Sequence, residues 1–177
     1  MRPTILPLLF LALTLALGLS CAAPDADSAA EREAAPAPTQ EPRIAPDFTL
    51  AKIGGGEVRL ADSAGSVRLV DFWATWCAPC REEIPMLNEL QLEYRGRGFE
   101  ILAISSESAS VVEEFLADHP VDYLNLVGTE ELEGEYGVMG MPTGFLLDGE
   151  GRVAEVFFGA KPRSALQKKI EELLAAS

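Results

Sequence analysis

The feature that most constrains the fold is a nearly continuous apolar run, Val67 to Trp73, that is followed shortly by two cysteines. The run is rich in β-forming residues, and such a run is typical of a strand that is covered on both faces of a sheet. Helical spacing of apolar residues begins after Cys77 and Cys80. The sequence therefore predicts a central strand followed by a helix that carries two thiols at its start.

Strands and helices alternate along the rest of the chain. We predict strands at Phe48–Leu50, Glu57–Leu60, Phe99–Ile104, Tyr123–Val127, Thr143–Leu147 and Val153–Phe158. We predict helices from Cys77 to about Gly96 with a kink at Pro85, from the capping box Ser110–Glu113 to Asp118, over Thr129–Tyr136, and after the capping box Ser164–Gln167. The first two strands and the last two should form hairpins. This order favours an α/β fold, a mixed β-sheet flanked by helices.

The N-terminus has the features of an export signal. Arg2 precedes an uncharged apolar stretch from Ile5 to Leu19, so residues 1–20 are predicted to be a signal peptide. The segment Leu17–Cys21 resembles the lipobox of bacterial lipoproteins, which implies acylation of Cys21 and a lipid anchor in a membrane. Two alternatives remain open: cleavage after Ala22 or Ala23 to give a soluble periplasmic protein, or an uncleaved N-terminal anchor.

Residues 21–45 are predicted to be a disordered tether. Ala, Pro, Asp, Glu, Ser, Thr and Gln dominate this segment, which is too poor in apolar side chains to form a core. One folded domain, residues 46–177, should follow. The chain carries 28 acidic against 14 basic residues, a balance that argues against nucleic acid as a partner.

The two cysteines have the spacing of a reversible dithiol. If a helix begins at Cys77, its free N–H groups and dipole favour a thiolate there, which makes Cys77 the predicted nucleophile. Cys80, one turn later and expected to be more buried, is the predicted resolving thiol. The alternatives are half of a zinc site or two unrelated core cysteines. For zinc, the only other candidate ligands, His119 and Cys21, are distant in sequence. We expect no metal and no cofactor besides a redox-active Cys77–Cys80 disulfide, and His119 is interpreted as a surface or capping residue.

The segment Val70–Cys80, Val-Asp-Phe-Trp-Ala-Thr-Trp-Cys-Ala-Pro-Cys, together with Met141-Pro142-Thr143, resembles the thioredoxin superfamily. The run Cys80–Pro85, the N-terminal hairpin and the βα stretch added between Ser105 and Gly140 are similar to its TlpA/ResA-like branch. The resemblance implies a thioredoxin-like fold with that βα insertion before a cis-proline. It also implies an extracytoplasmic enzyme that reduces disulfides of client proteins, with electrons from a membrane donor protein, as in cytochrome c maturation.

The same resemblance assigns roles to five further residues. It implies that Pro142 follows a cis peptide bond, that the Met141 backbone docks an extended client, and that Trp76 covers the sulfur. It also implies that Asp71 is a buried acid able to accept the Cys80 proton and that Glu83 is an active-site acid. Four of these roles have a simpler alternative: a trans turn at Pro142, a solvent-facing Asp71, a surface Glu83 and a core Trp76.

Three other functions compete with this interpretation. A thioredoxin-fold peroxidase would place Thr three residues before its reactive cysteine, where this chain has Ala74. A copper carrier of the same fold would space its cysteines by three residues rather than two and add a distal histidine. A structural lipoprotein could keep an oxidised cysteine pair for stability alone, although so short a loop restrains little chain entropy.

Overall fold

A computed structural model describes residues 43–177. The predicted signal peptide, Cys21 and almost all of the predicted tether lie outside the described residues, so these assignments stay predictions. Within residues 43–177, no helix combines the length and the apolar character needed to cross a membrane.

The described residues form a seven-stranded mixed sheet with helices packed against it. The strands are β1 Thr49–Lys52, β2 Glu57–Arg59, β3 Val67–Phe72, β4 Phe99–Ser105, β5 Leu124–Val127, β6 Thr143–Leu147 and β7 Val153–Phe158. The helices are α1 Ala78–Tyr94, α2 Ala109–Asp118, α3 Glu130–Tyr136 and α4 Arg163–Ala176, with short 3-10 turns at Leu60–Ser63 and Arg95–Arg97. The order across the sheet is β2-β1-β5-β4-β3-β6-β7. The predicted α/β fold class is confirmed.

Strand β3 lies inside the sheet, as its continuous apolar pattern predicts. It pairs in parallel with β4 and antiparallel with β6, and every one of its residues is buried. Phe72, at its C-terminal end, pairs with Thr143, whereas Arg68, near its start, pairs with Leu147. The end of β3 that leads to the cysteines therefore lies beside the start of β6.

The N-terminal hairpin extends the sheet instead of covering it. Strand β1 pairs antiparallel with both β2 and β5. Just before it, Ile44 forms an isolated antiparallel bridge with Arg152, and the Ala45 N–H donates to the Gly151 carbonyl at 2.9 Å. The first described residues therefore contact the turn between β6 and β7.

Alternation along the buried strands divides the core between the two faces of the sheet. One face carries an aromatic cluster in which the Phe72 ring lies 5.1 Å from Tyr136 and 6.0 Å from Phe145, centroid to centroid. On the other face, Leu69 and its neighbours pack against the apolar sides of α1 and α4. Because side chains two residues apart on a strand share a face, Asp71 lies on the same face as Leu69.

Three predicted boundaries are wrong. Ser110 lies inside α2, whose N-cap is Ser108, and its hydroxyl lies 3.2 Å from that of Ser108. The second capping box also fails, because α4 begins at Arg163 after Pro162 and no side chain caps it. The turn after α1 ends at Gly98, which has a φ of 88° that favours glycine, and not at Gly96.

Candidate active site

The two cysteines lie at the N-terminus of α1. Cys77 is the N-cap residue, its Sγ accepts a hydrogen bond from the Cys80 N–H at 3.3 Å, and a proline follows in the first turn. Proline fits there because the first helical N–H groups have no partner within the helix. Cys77 and Cys80 are joined by a disulfide. The helix thus presents its free N–H groups and the positive end of its dipole to the Cys77 sulfur.

The prediction that Cys80 is more buried than Cys77 is wrong. Cys77 and Cys80 are each 4% exposed. Both belong to an apolar cluster that also includes Trp73, Ala103 and Val112. The short loop after β3 and the first turn of α1 pack into this cluster together, so both thiols have an apolar surrounding.

Met141 and Pro142 pack beside the cysteines. The Met141–Pro142 peptide bond is cis, the isomer that the resemblance implies. Met141 contacts the cysteine cluster, and Pro142 is buried, with its carbonyl accepting the Gly159 N–H at 2.9 Å. The Thr143 hydroxyl donates to the Gly140 carbonyl at 2.6 Å. These contacts hold the loop before β6 against the dithiol.

Exposed apolar side chains surround this loop. Trp76 is 70% exposed, which excludes the alternative that it belongs to the core. Met139 is 88% and Phe158 67% exposed, and both line a groove with Met141 and Pro142. Large apolar side chains left in water next to a reactive group are typical of a surface that binds another molecule.

The Glu107 side chain holds Thr75, the residue before Trp76, in place. Glu107 accepts the Thr75 N–H at 2.7 Å and the Thr75 hydroxyl at 2.8 Å, and it also accepts the Ser105 hydroxyl at 3.2 Å. Hydrogen bonds to a charged acceptor are among the stronger ones in proteins. Glu107 therefore ties the loop before Cys77 to the end of β4.

Asp71 is buried within the sheet, which rules out the solvent-facing alternative. It lies in register with Ala103 on β4 and with Gly144 on β6. Its Oδ1 lies 2.7 Å from the Nζ of Lys161, a buried lysine that follows β7. The acid and the lysine therefore form an ion pair inside the protein.

Glu83 is also buried, and so it is not the surface residue that the alternative interpretation required. Its Oε2 lies 3.1 Å from the same Lys161 Nζ, and its Oε1 accepts the main-chain N–H of Lys161. One ammonium therefore contacts two carboxyl groups, one from β3 and one from α1. We call Asp71, Glu83 and Lys161 the buried triad.

Comparison with known proteins identifies the family. The model of the AhpC/TSA family matches residues 43–156. The chain belongs to the AhpC/TSA family. The thiol-disulfide oxidoreductase ResA of Geobacillus thermodenitrificans is 34% identical over 131 residues, which cover 73% of this chain and 75% of that protein.

Solved structures of similar proteins agree with this assignment. A crystal structure of a candidate thiol:disulfide interchange protein DsbE from Chlorobium tepidum is 37% identical, covers 74% of this chain and 95% of its own, and has a TM-score of 0.71. The pneumococcal exposed lipoprotein thioredoxin, Etrx1, from Streptococcus pneumoniae is 26% identical, with 72% and 100% coverage and a TM-score of 0.66. The predicted resemblance to TlpA/ResA-like thioredoxins is confirmed, and this AhpC/TSA member is a thiol-disulfide oxidoreductase.

In this oxidoreductase, burial determines the direction of the pKa shifts of the two acids of the triad, whereas neighbouring charges determine that of the lysine. Desolvation raises the pKa of Asp71 and of Glu83 above their ordinary values, and the Lys161 charge opposes both shifts. For Lys161, desolvation lowers the pKa, but the two carboxylates together raise it above its usual value. The charged form of Lys161 is therefore favoured, whereas burial favours the neutral form of each carboxyl group.

These shifts predict how stability depends on pH. In the unfolded chain both carboxyls titrate near about pH 4, so between that pH and their raised pKa values the folded protein binds more protons. The free energy of unfolding should therefore fall as pH rises through this window, by at most about 1.4 kcal/mol per pH unit for one carboxyl. Lys161 adds no slope there, because its raised pKa affects stability only at alkaline pH. Urea unfolding from pH 4 to 8 measures the slope, which Asp71→Asn should reduce. Substitution of the exposed Glu113 by Gln is the control, and an unchanged slope in Asp71→Asn would contradict the prediction.

Sequence reasoning missed two residues of this site, Lys161 and Glu107. Lys161 stands in Gly159-Ala160-Lys161-Pro162, where an isolated lysine after a strand suggests an exposed turn. Glu107 lies in a polar segment before α2. The one sequence signal that could have indicated Lys161 was Asp71, because a buried acid requires a partner and a lysine can supply the opposite charge.

His119 has the capping position that the sequence suggested. It is the C-cap residue of α2, its Nδ1 lies 3.0 Å from the Phe115 carbonyl oxygen, and its ring stacks on Phe115 at 4.2 Å between centroids. Among the described residues, no three His, Cys, Asp or Glu side chains cluster in a way that could hold a metal ion.

Proposed function

We propose that this oxidoreductase reduces disulfides in client proteins outside the cytoplasm while attached to a membrane. The observation that carries the proposal is the Cys77 sulfur at the helix N-terminus, next to Met141 and exposed apolar side chains. A client segment around a disulfide can place its apolar side chains on such a surface. The dithiol supplies both electrons, so the reaction needs no further cofactor.

The reaction follows from the two sulfurs. The Cys77 thiolate attacks a client disulfide, which forms a bond between Cys77 and the client and releases the first client thiolate. Cys80 then loses its proton to the carboxylate of Asp71, attacks the Cys77 sulfur and releases the second client thiolate. The client has gained two electrons, and the enzyme is left with the Cys77–Cys80 disulfide. A dithiol donor protein in the membrane would restore the reduced form by the reverse exchange.

Client binding uses the loop before β6 in this proposal. Trp76 directly precedes Cys77 and is exposed, and the Met141 side chain packs against the cysteine cluster, which supports a binding role for this surface. An extended client segment can hydrogen-bond to the Met141 backbone while its apolar side chains contact Trp76.

The compartment and the anchor are part of the proposal. Residues 1–20 would direct export, Cys21 would carry the lipid, and residues 21–45 would connect it to the catalytic domain at 46–177. The similar protein Etrx1 is an exposed lipoprotein, which supports the same arrangement here. Cytochrome c maturation, which requires reduced client cysteines, is the process that the resemblance to the TlpA/ResA-like branch suggests.

Trapping of the mixed disulfide tests the proposal. Cys80→Ala should form a covalent complex with an oxidised client peptide that dithiothreitol releases, and the wild-type enzyme should accelerate insulin reduction. An alkylation titration of Cys77 should show thiolate well below about pH 8.5, the ordinary thiol value. Normal thiol acidity together with no insulin reduction would overturn the function. Membrane fractionation of Cys21→Ala tests the anchor, since a protein that stays in the membrane fraction would contradict lipidation.

A further inference from the structure

We infer that Met139 is a site of reversible modification by peroxides, and that its oxidation to the sulfoxide weakens client binding without consuming the dithiol. This inference rests on the proposed function, because it concerns the regulation of the surface that holds the client. It gives a role to an exposed thioether that takes no part in thiol-disulfide exchange.

The Met139 side chain lies in solvent although it is apolar. It is 88% exposed, a larger fraction than for any other large apolar side chain in residues 43–177. A single exposed apolar side chain needs no explanation by itself. Met139, however, lines one groove with Met141, Pro142 and Phe158, and Met141 contacts the cysteine cluster. The exposed thioether therefore borders the surface next to the dithiol.

The loop backbone holds Met139 in this orientation. The Val138 N–H donates to the Glu133 carbonyl at 2.8 Å, and the Gly140 carbonyl accepts the hydroxyl of the first β6 residue at 2.6 Å. The Val138 side chain packs against the aromatic cluster on one face of the sheet, and Met141 packs against the cysteine cluster. Because the residues on both sides of Met139 are anchored inward, its own side chain points outward.

A thioether in this position can react with a peroxide. The O–O bond of hydrogen peroxide breaks, one oxygen atom bonds to the Met139 sulfur, and the other leaves as water. The sulfur loses two electrons, and the peroxide gains them. The product is a methionine sulfoxide, in which a polar S=O group replaces an apolar sulfur. Methionine sulfoxide reductases reverse the reaction with two electrons from a dithiol and release the oxygen as water.

The other sulfur atoms of residues 43–177 are protected in the disulfide form of the enzyme. Cys77 and Cys80 are joined to each other, so neither has a free thiol. Met141 is partly buried against them, and Met86, on α1, is partly buried against the core. Because a peroxide must reach the sulfur that it oxidises, Met139 should react before the other two methionines.

Oxidation changes the property that makes methionine useful on this surface. An unbranched, polarisable thioether adapts its shape to different apolar partners, so it suits a surface that binds many clients. The sulfoxide is polar, and covering it with a client removes water from a group that gains no partner in return. The cysteine sulfurs do not change. Peroxide should therefore lower the affinity for the client and leave disulfide exchange within the complex intact.

The test compares insulin reduction, with dithiothreitol as electron donor, before and after hydrogen peroxide treatment of the disulfide form. Catalase removes the peroxide before dithiothreitol is added, and mass spectrometry locates each added oxygen. We expect the KM for insulin to rise about tenfold, the effect of losing one buried methionine contact, with kcat changed by less than about twofold. Treatment with the sulfoxide reductases for both sulfoxide epimers should restore the KM.

Three variants assign the effect to one residue. Met139→Leu keeps an apolar side chain without sulfur, so its KM should be equal before and after peroxide treatment. Met86→Leu is the matched control, because Met86 packs on α1 away from the groove, and it should respond as wild type does. Met139→Gln carries a permanent polar group and should have a raised KM without peroxide.

Two kinds of result would overturn the role of Met139. One is kinetic: an equal rise in KM for Met139→Leu and wild type, or complete oxidation of Met139 with no change in KM. The other is chemical: oxidation of Met86 or Met141 ahead of Met139 in the mass spectra. Absence of insulin reduction by untreated wild type would instead refute the proposed function, so the two failures are distinguishable.

Discussion

Replacement of Cys77 by serine should lower the rate of client disulfide reduction by at least about 1,000-fold, to the level of the uncatalysed reaction. A serine hydroxyl does not ionise near neutral pH, even at the N-terminus of a helix, so no nucleophile remains to attack the client disulfide. The fold should persist, because serine can still accept the Cys80 N–H that Cys77 Sγ accepts now. Insulin reduction and mass spectrometry of the reaction products measure the effect.

Cys80→Ser is the matched control for that prediction. It retains the Cys77 nucleophile and should accumulate the mixed disulfide that Cys77→Ser never forms. Both variants should lose turnover, but one of them should contain a covalently bound client. A mixed disulfide in Cys77→Ser would mean that Cys80 is the attacking sulfur and would reverse the assigned roles.

Substitution of Gly144 by alanine should lower the free energy of unfolding by about 3 kcal/mol. The added methyl would lie 2.4 Å from the Lys161 Cε and 3.2 Å from the Leu69 Cδ1, so the buried lysine must shift. Any shift that lengthens the 2.7 Å contact with Asp71 leaves charge buried without its partner, which adds to the packing cost. Chemical unfolding at pH 7 measures the loss.

Gly134→Ala is the control for this substitution. Gly134 lies within α3, and a Cβ there would meet no atom within 4 Å. Because alanine favours helices more than glycine does, this variant should be at least as stable as wild type. Equal stability of Gly144→Ala and wild type would show that the Lys161 side chain is not confined as described.

Local sequence patterns predicted the architecture well. Continuous apolar runs located β3 and β4 to within a residue, and the turn signal at Asp148–Gly151 located the hairpin of β6 and β7. These patterns succeed because burial on both faces of a sheet favours apolar side chains at most positions, with Arg68 and Asp71 as the polar exceptions in β3, and because glycine favours tight turns. The capping boxes failed because the pattern of Ser followed by an acid or amide also occurs inside helices.

The site could be predicted only in part. Cys77, Cys80 and Asp71 stand in one short segment, so the sequence shows them together. Lys161 contacts Glu83 across a separation of 78 residues, and Glu107 contacts Thr75 across 32. No local period or composition encodes such a pairing, because it arises only when the fold brings helices and loops from distant parts of the chain together.

The first described residues and the two sulfurs lie at opposite ends of the sheet. Ile44 meets Arg152 at the end of the sheet where β3 begins, whereas the sulfurs follow the other end of that strand, six residues or about 20 Å away. An attachment immediately before Ile44 would therefore lie at the end of the domain opposite to the sulfurs. Immobilisation on a bead through the N-terminus should therefore leave Cys77 and Cys80 accessible. Large oxidised substrates should reach these cysteines without steric obstruction from the bead.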